Sequence, residues 1–257
     1  MKLALCQTPS PAGDVELALG VIARAARAAA AFGAGMVLFP ELFLPGYNQK
    51  ERLRDLAEPA DGPSLARVRA IARETGMAIV TGFAEREGER LYNAALAIGP
   101  DGGTLALFRK LQLFGPTENA LFAPGEGHAH FDHAGHRFGL LVCYDVEFPE
   151  HVRALARRAV DVVLVPTANM EPYRHVARIL VPARAAENDV TVAYCNYCGE
   201  EGDLAYTGLS VIAGPDGEPA AAAGVRGEAL LITDLDAIRQ IPEEMRSTQL
   251  RDLRDQE

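Results

Sequence analysis

The 257-residue sequence predicts an α/β fold with helices outside two sheets, on three observations. Helix-period and buried-strand patterns alternate at both ends of the chain, and paired hairpin strands occupy the middle. Apolar residues make up 49% of the sequence, enough for a sizeable core. No Ser/Gly linker, low-complexity tract or internal repeat interrupts it, so residues 1–257 read as a single domain.

Taken in order, Met1–Gln7 is a short apolar strand, and Pro9–Gly13 turns the chain. Asp14 then suits the N-cap of a long Ala-rich helix running to about Ala34. Met36–Phe39 is a second buried strand that runs into Pro40–Glu41. A loop carrying Pro45–Gly46 follows, then helical stretches at Lys50–Leu56 and Ser64–Thr75. Ala78–Phe83 and Tyr92–Ile98 are strands joined by the charged turn Glu85–Arg90, and Asp101–Gly103 is a hairpin signal into Leu105–Phe108. The apolar run after Phe138 predicts a strand over Gly139–Tyr144 that carries Cys143. Pro149 fits the first turn of a helix continuing through HVRALARRA. Asp161–Val165 is a short strand ending at Pro166, and Tyr173–Asn188 is helical with a kink or break expected at Pro182. Val190–Tyr194, Gly208–Ile212 and Ala229–Thr233 complete the strands, with Pro215–Gly217 a hairpin turn. Polar residues 242–257 read as an arm or terminal helix.

The net charge of −10 argues against nucleic acid or an anionic membrane as partner. Four cysteines, Cys6, Cys143, Cys195 and Cys198, are sparse for this length, so free thiols in a reducing compartment are expected. Leu3–Leu5 is too short and too closely followed by Asp14 and Glu16 for a signal peptide. The apolar stretch Val15–Phe32 is broken by Glu16, Arg24 and Arg27 and cannot span a bilayer. These features predict a cytoplasmic protein.

Three chemistry-bearing residues sit just past buried strands: Glu41 after MVLFP, Lys110 after LALFR, and Cys143 after GLLV. Glu118 lies in the loop LFGPTENALFAPG, eight residues beyond Lys110. Strand ends on one sheet edge converge, so these groups can meet although distant in sequence. Each has a plainer alternative in isolation: a packed thiol, a solvated loop glutamate, a surface lysine beside Arg109. Asp145 reads as a brace for the turn after the cysteine. The CNYC stretch at 195–198 does not open a helix, has no second cysteine pair, and would point its sulfurs to opposite faces of a strand, which disfavours a redox or zinc site. His128, His130, His133 and His136 read as solvated strand and turn residues, and no histidine stands in a recognisable Cys–His motif.

The segments FPELFLPGY, FRKLQLFG and CYDVEFPE, in that order, resemble the carbon–nitrogen hydrolase (nitrilase) superfamily. The likeness extends from ALCQTP near the start to GPDGE near the end. It implies a four-layer α-β-β-α sandwich, paired into a homodimer or higher homo-oligomer, and cofactor-free hydrolysis of a small-molecule amide through a Cys thioester. It assigns Cys143 as nucleophile, Glu41 as general base then acid, and Lys110 as support for the oxyanion together with the backbone N–H of Tyr144. Glu118 matches a second glutamate that positions substrate or water and keeps Lys110 charged. A free thiol with pKa ~8.5 is only a few per cent ionised at neutral pH, and full ionisation gains at most roughly 30-fold. A base at Glu41, with its pKa raised by its apolar FLFP surroundings, adds about 10²–10⁴-fold.

Substrate assignment is narrower. Relatives acting on N-carbamoyl amino acids place arginines just after the cysteine, where this chain has Val146 and Glu147. An acid there repels a carboxylate and favours a cationic group, while also suiting a helix start. PGYN, VPTANMEPY, ARAAEN and YCNYCG are similar to the 5-aminopentanamidases and R-stereoselective amidases, although the former carry an aspartate at the position of Glu118. On that resemblance Tyr47, Asn169 and Tyr173 are candidate substrate contacts beside Tyr144 and Glu147, and a short ω-amino amide is the leading substrate. Nitrile, N-carbamoyl and ω-amidase chemistry are alternatives within the superfamily, and a non-catalytic scaffold is one outside it.

Overall fold

The computed structural model describes residues 1–254; residues 255–257, the end of the expected arm, lie outside the described residues. Strict alternation along the first strands sets the layering. On β1 (Lys2–Gln7), Leu3 and Leu5 face one core while Ala4 and Cys6 face another. The same split places Met36 and Leu38 of β2 (Ala34–Leu38) opposite Val37, and Val80 of β3 (Ala78–Glu87) opposite Ile79. A sheet buried on both faces needs partners on both faces. Helices α1 (Val15–Ala31), α2 (Leu53–Leu56) and α3 (Pro63–Thr75) follow the first strands, and α1 and α3 cover the outer face. Asp14 caps α1 by accepting from Leu17 N at 2.9 Å, as its position predicts. The helix ends at Ala31 rather than Ala34, because Ala34 already begins β2.

The first sheet has the order β14-β1-β2-β3-β4-β5, with β4 (Arg90–Ile98), β5 (Thr104–Arg109) and β14 (Ala229–Asp234) joining antiparallel. The Glu85–Arg90 stretch is mostly strand: β3 runs to Glu87 and pairs Glu87 with Arg90. The second sheet runs β13-β12-β9-β8-β7-β6. It comprises β6 (Ala129–His133), β7 (His136–Leu140), β8 (Val162–Pro166), β9 (Thr191–Cys195), β12 (Val211–Ala213) and β13 (Pro219–Ala222). A separate small hairpin pairs β10 (Glu200–Glu201) with β11 (Leu204–Ala205). The two large sheets share a dry interface containing Leu5, Leu38, Val80, Phe138 and Leu140. α5 (Pro149–Ala156) and α6 (Val181–Asn188) pack on the second sheet, completing helix, sheet, sheet, helix. The chain ends in α7 (Leu235–Ile238) and α8 (Gln249–Asp252).

Several boundaries differ from expectation. β7 stops at Leu140, and Cys143 opens a one-turn 3₁₀ segment, Cys143–Glu147, instead of ending the strand. The expected strand at Gly208–Ile212 is confined to Val211–Ala213. The stretch ahead of Pro182 is a π-helical turn, Val176–Leu180, that runs directly into α6 at Val181, so the irregularity expected at Pro182 is a π turn and not a break. The loop holding Glu118 contains a helix, α4 (Gly115–Leu121). His136 is buried and lies 3.3 Å from Asp236, so it is not a solvated residue.

Gly82 on β3 is a close-approach point. A Cβ there would lie 2.2 Å from Leu42 N and 2.7 Å from Pro40 O, the segment bearing Glu41. Gly82→Ala is therefore expected to displace that segment, lowering stability by about 1–3 kcal/mol or more by overpacking. Chemical denaturation reports the loss; a midpoint equal to wild type would contradict it.

Candidate active site

Glu41, Lys110, Glu118 and Cys143 meet at the edge between the two sheets. Glu41 leaves β2 after Phe39–Pro40, its own carbonyl held by Tyr197 Oη at 2.9 Å. Lys110 follows β5, where the period of two sends Arg109 outward to Glu85, at 2.7 and 2.8 Å, and Lys110 inward. The Lys110 main chain is fixed by Lys110 N donating to Asn93 O and Gly125 N donating to Lys110 O, both 2.8 Å. Its ammonium donates to Glu41 Oε1 at 2.7 Å and to Glu118 Oε1 at 2.8 Å. The Glu41 and Lys110 side chains are 0% exposed and that of Glu118 is 4% exposed. Tyr47 Oη donates to Glu118 Oε1 at 2.6 Å, and Phe114 N to Glu118 Oε2 at 3.0 Å.

Cys143 has φ +46°, a left-handed conformation unusual for a residue with a Cβ. Asp145 holds it there. Its carboxylate accepts Val142 N at 3.0 Å and, from the segment after Lys110, Leu111 N at 3.1 Å and Gln112 N at 2.7 Å. Asp145 thus ties the turn at Cys143 to the lysine strand, the bracing role expected of it. The thiol lies within electrostatic reach of Glu41 and Lys110 and against Thr167 and the backbone of Ala168.

Burial dominates the electrostatics. It pushes the Cys143 thiol well above its ordinary value, and the Glu41 charge adds to this, outweighing Lys110. The sulfur is therefore held in its protonated form. Burial likewise raises Glu41, with Lys110 opposing and Glu118 adding to the shift. Burial opposes the Lys110 charge, but Glu118 and Glu41 outweigh it, so the ammonium stays protonated. Asp145 is pushed up to about 7 by burial against the Lys110 charge and its backbone donors. Two features leave hydrogen-bonding capacity unfilled in the group. Glu41 Oε2 is buried without a hydrogen-bond partner. An ammonium has three donors, and only two of those on Lys110 meet carboxylates.

A cavity of about 300 Å³ adjoins the site, lined by Tyr47, Phe114, Glu118, Met170 and Leu204 among others. Glu41, Lys110 and Cys143 do not line it; Glu118 and Tyr47 are its link to them. Tyr144 and Tyr173 flank Phe114 edge-on, with ring centroids at 5.3 and 5.8 Å. Asn169 donates through Nδ2 to Tyr173 O at 2.9 Å, which packs its loop. Glu147 is half-buried, its carboxyl raised by burial and opposed by His175 and Lys110, while its carbonyl accepts from Arg184 at 2.7 Å. Val146 is fully buried, packed in the core between the sheets and the outer helices. All four cysteines are free, and Cys195 is buried with its thiol directed at the carbonyls of Cys6 and Leu38. Among the described residues no group of three or more His, Cys, Asp or Glu side chains could hold a metal ion, and no helix is long and apolar enough to cross a membrane.

Sequence reading did not find Asn93, which donates to Glu41 Oε1 at 2.7 Å, or Tyr197 behind it. Asn93 is a fully buried polar residue in an otherwise apolar strand, LYNAALAI, and that mismatch was the available signal. Gln112, His151 and His128 form a chain at 3.1 and 3.0 Å beside the Asp145 brace, which no motif announced.

Comparison with known proteins fits this geometry. A family model described as carbon–nitrogen hydrolase matches residues 2–243. A hydrolase of Pseudomonas protegens is 43% identical over 250 residues, covering 96% of this chain and 86% of the relative. An (R)-stereoselective amidase of a Pseudomonas species is 36% identical over 237 residues, covering 92% and 85%. Among solved structures, the NitN amidase of Nesterenkonia sp. AN1 superposes with a TM-score of 0.89 at 40% identity, covering 99% of this chain and 96% of that one. A variant of the Nesterenkonia amidase carries acrylamide added at its active-site cysteine, and another is complexed with butyramide. With a matching sequence model, a shared fold and a buried Glu–Lys–Glu cluster beside a cysteine, the chain belongs to the carbon–nitrogen hydrolase family.

Proposed function

We propose that this protein is an amidase that converts a small linear primary amide to carboxylic acid and ammonia through a thioester on Cys143. The observation that carries the reading is the Lys110 ammonium held between two buried carboxylates beside a protonated thiol, with Glu41 Oε2 unpartnered. Glu41 takes the thiol proton as sulfur bonds to the amide carbon. The third Lys110 donor and the Tyr144 backbone N–H receive the oxyanion, each such donor being worth about 3–4 kcal/mol. Collapse breaks the C–N bond, and Glu41 passes its proton to the departing nitrogen, releasing ammonia. Water then loses a proton to Glu41 and attacks the thioester, and the proton returns to the leaving sulfur. The cycle is balanced without a cofactor.

The finer reading is a short ω-amino amide such as 5-aminopentanamide. Half-buried Glu147 stands near the site and suits a cationic end group. The named amidase relatives and the Nesterenkonia butyramide complex support a small amide in general. The test compares ammonia release from matched amide, nitrile and N-carbamoyl compounds over a range of chain lengths. Primary amides are expected to turn over fastest, with a short chain preferred. Rapid nitrile hydrolysis with inert amides would replace this reading with a nitrilase.

A further inference from the structure

We propose that the β10–β11 hairpin, Glu200–Ala205, gauges the length of the substrate's acyl chain, with Leu204 as a contact wall and Glu201 as the positioning residue that latches it. The proposal rests on the amidase reading only for the chemical identity of the substrate. Leu204 and Met170 line the same cavity as Glu118 and Tyr47, so an unbranched chain extending past Glu118 into it meets these two side chains. Around them the cavity presents Leu42, Leu53 and Phe122, an apolar lining suited to methylenes, with the Lys50–Asp203 pair at its exposed margin.

A two-stranded hairpin of two-residue strands has little stability of its own, so something must hold it. Glu201 does so from a buried position. Gln49 donates to its Oε1 at 2.5 Å, and Tyr206 donates to its Oε2. Asn48 donates to Glu201 O at 2.8 Å and to Asp203 Oδ1 at 2.7 Å, clasping both ends of the turn. Gly46, at φ +82°, leaves room for the carboxylate: a Cβ there would lie 2.8 Å from Glu201 Oε1. On the other side Glu171 N donates to Ala205 O at 2.9 Å, tying the hairpin to the Met170 loop. The latch connects to the chemistry at two points. Gln49 and Asn48 follow Tyr47, which bonds Glu118, and Tyr206 packs on Tyr197, which bonds the Glu41 carbonyl. Glu201 therefore sets the wall's position relative to the reacting groups without touching substrate.

The test uses straight-chain alkyl methanethiosulfonates, methyl to hexyl, whose labelling of Cys143 requires a thiol and access but no amide turnover. Cys143 is half-buried while the other three cysteines are buried, and peptide mass identifies the labelled site. Primary amides of matching length are assayed in parallel. Leu204→Ala is expected to raise the hexyl-to-methyl labelling ratio about tenfold, the discrimination that one or two methylenes command, and to move the amide optimum to longer chains. Glu201→Ala is expected to flatten the length dependence while leaving methyl labelling near wild type, and Glu201→Gln to restore it. Unchanged ratios in Leu204→Ala and Glu201→Ala would overturn the gauge; Glu201→Gln behaving like Glu201→Ala would overturn the latch. A shifted labelling ratio with every amide inert would reject the amidase reading and leave the hairpin assignment standing.

Discussion

Cys143→Ala is expected to reduce amide turnover on the order of 10⁶-fold in kcat, the scale seen when a nucleophile acting with its base is removed. The sulfur forms the only covalent bond to substrate in the proposed cycle, and no other cysteine can replace it. Cys6 and Cys195 are packed in the core, and Cys198 is 2% exposed. The substitution removes one sulfur from a half-buried position and leaves the Asp145 brace on Val142, Leu111 and Gln112 in place. The variant should therefore fold and still bind amide. Ammonia release and calorimetric binding together check this. Turnover within tenfold of wild type would exclude a Cys143 thioester.

The second large effect is expected from Glu41→Gln. Glutamine is isosteric, and its amide oxygen can still accept from Lys110 and Asn93 in place of Glu41 Oε1. Its amide nitrogen then occupies the position of the unpartnered Oε2, turning the one free acceptor into a donor. A base has been lost with little change of shape, so kcat/KM should fall about 10²–10⁴-fold. The pH profile gives an independent readout. The proposed cycle uses the deprotonated carboxylate, and burial raises Glu41 above its ordinary 4.5. The wild-type rate should therefore rise with pH through a limb displaced upward from that value, and the limb should vanish in the glutamine variant. A limb that survives Glu41→Gln would assign the titration to another group, such as Asp145.

The layered fold was legible because its strands are short, apolar and separated by punctuating Pro and Gly. Errors fell where local pattern and tertiary demand diverge. Leu141 and Val142 continue the apolar run past Leu140, so the strand seemed to extend to the cysteine. In the fold the backbone leaves the sheet there, because Asp145 draws Val142 N and the segment after Lys110 around itself. Helix α4 was hidden by its length: Gly115–Leu121 is seven residues, below what helical periodicity resolves, although Pro116 in its first turn was a usable cue. Asn93 stood out only as a polar residue in an apolar strand, and its partner Glu41 lies two strands away in the same sheet; Tyr197 reaches the Glu41 carbonyl from beyond β9 of the other sheet, a contact with no signature along the chain.

The amino-acid sequence by itself determined where the buried strands lie to within a few residues, and therefore that a glutamate, a lysine and a cysteine would follow strands in that order. That Lys110 turns inward while Arg109 turns out to Glu85 was left open by the sequence and is a finding of the structure. Only the tertiary structure decided that the thiol is held protonated beside a raised glutamate. Whether the thiol or the carboxylate carries charge depends on how much water the two packed sheets exclude and on how many charges share the resulting space. Burial and the Glu118 charge raise Glu41 against the opposing Lys110 ammonium, while the two carboxylates together hold the lysine charged. Solvent exclusion and charge proximity are properties of the packed assembly, and no linear spacing encodes them.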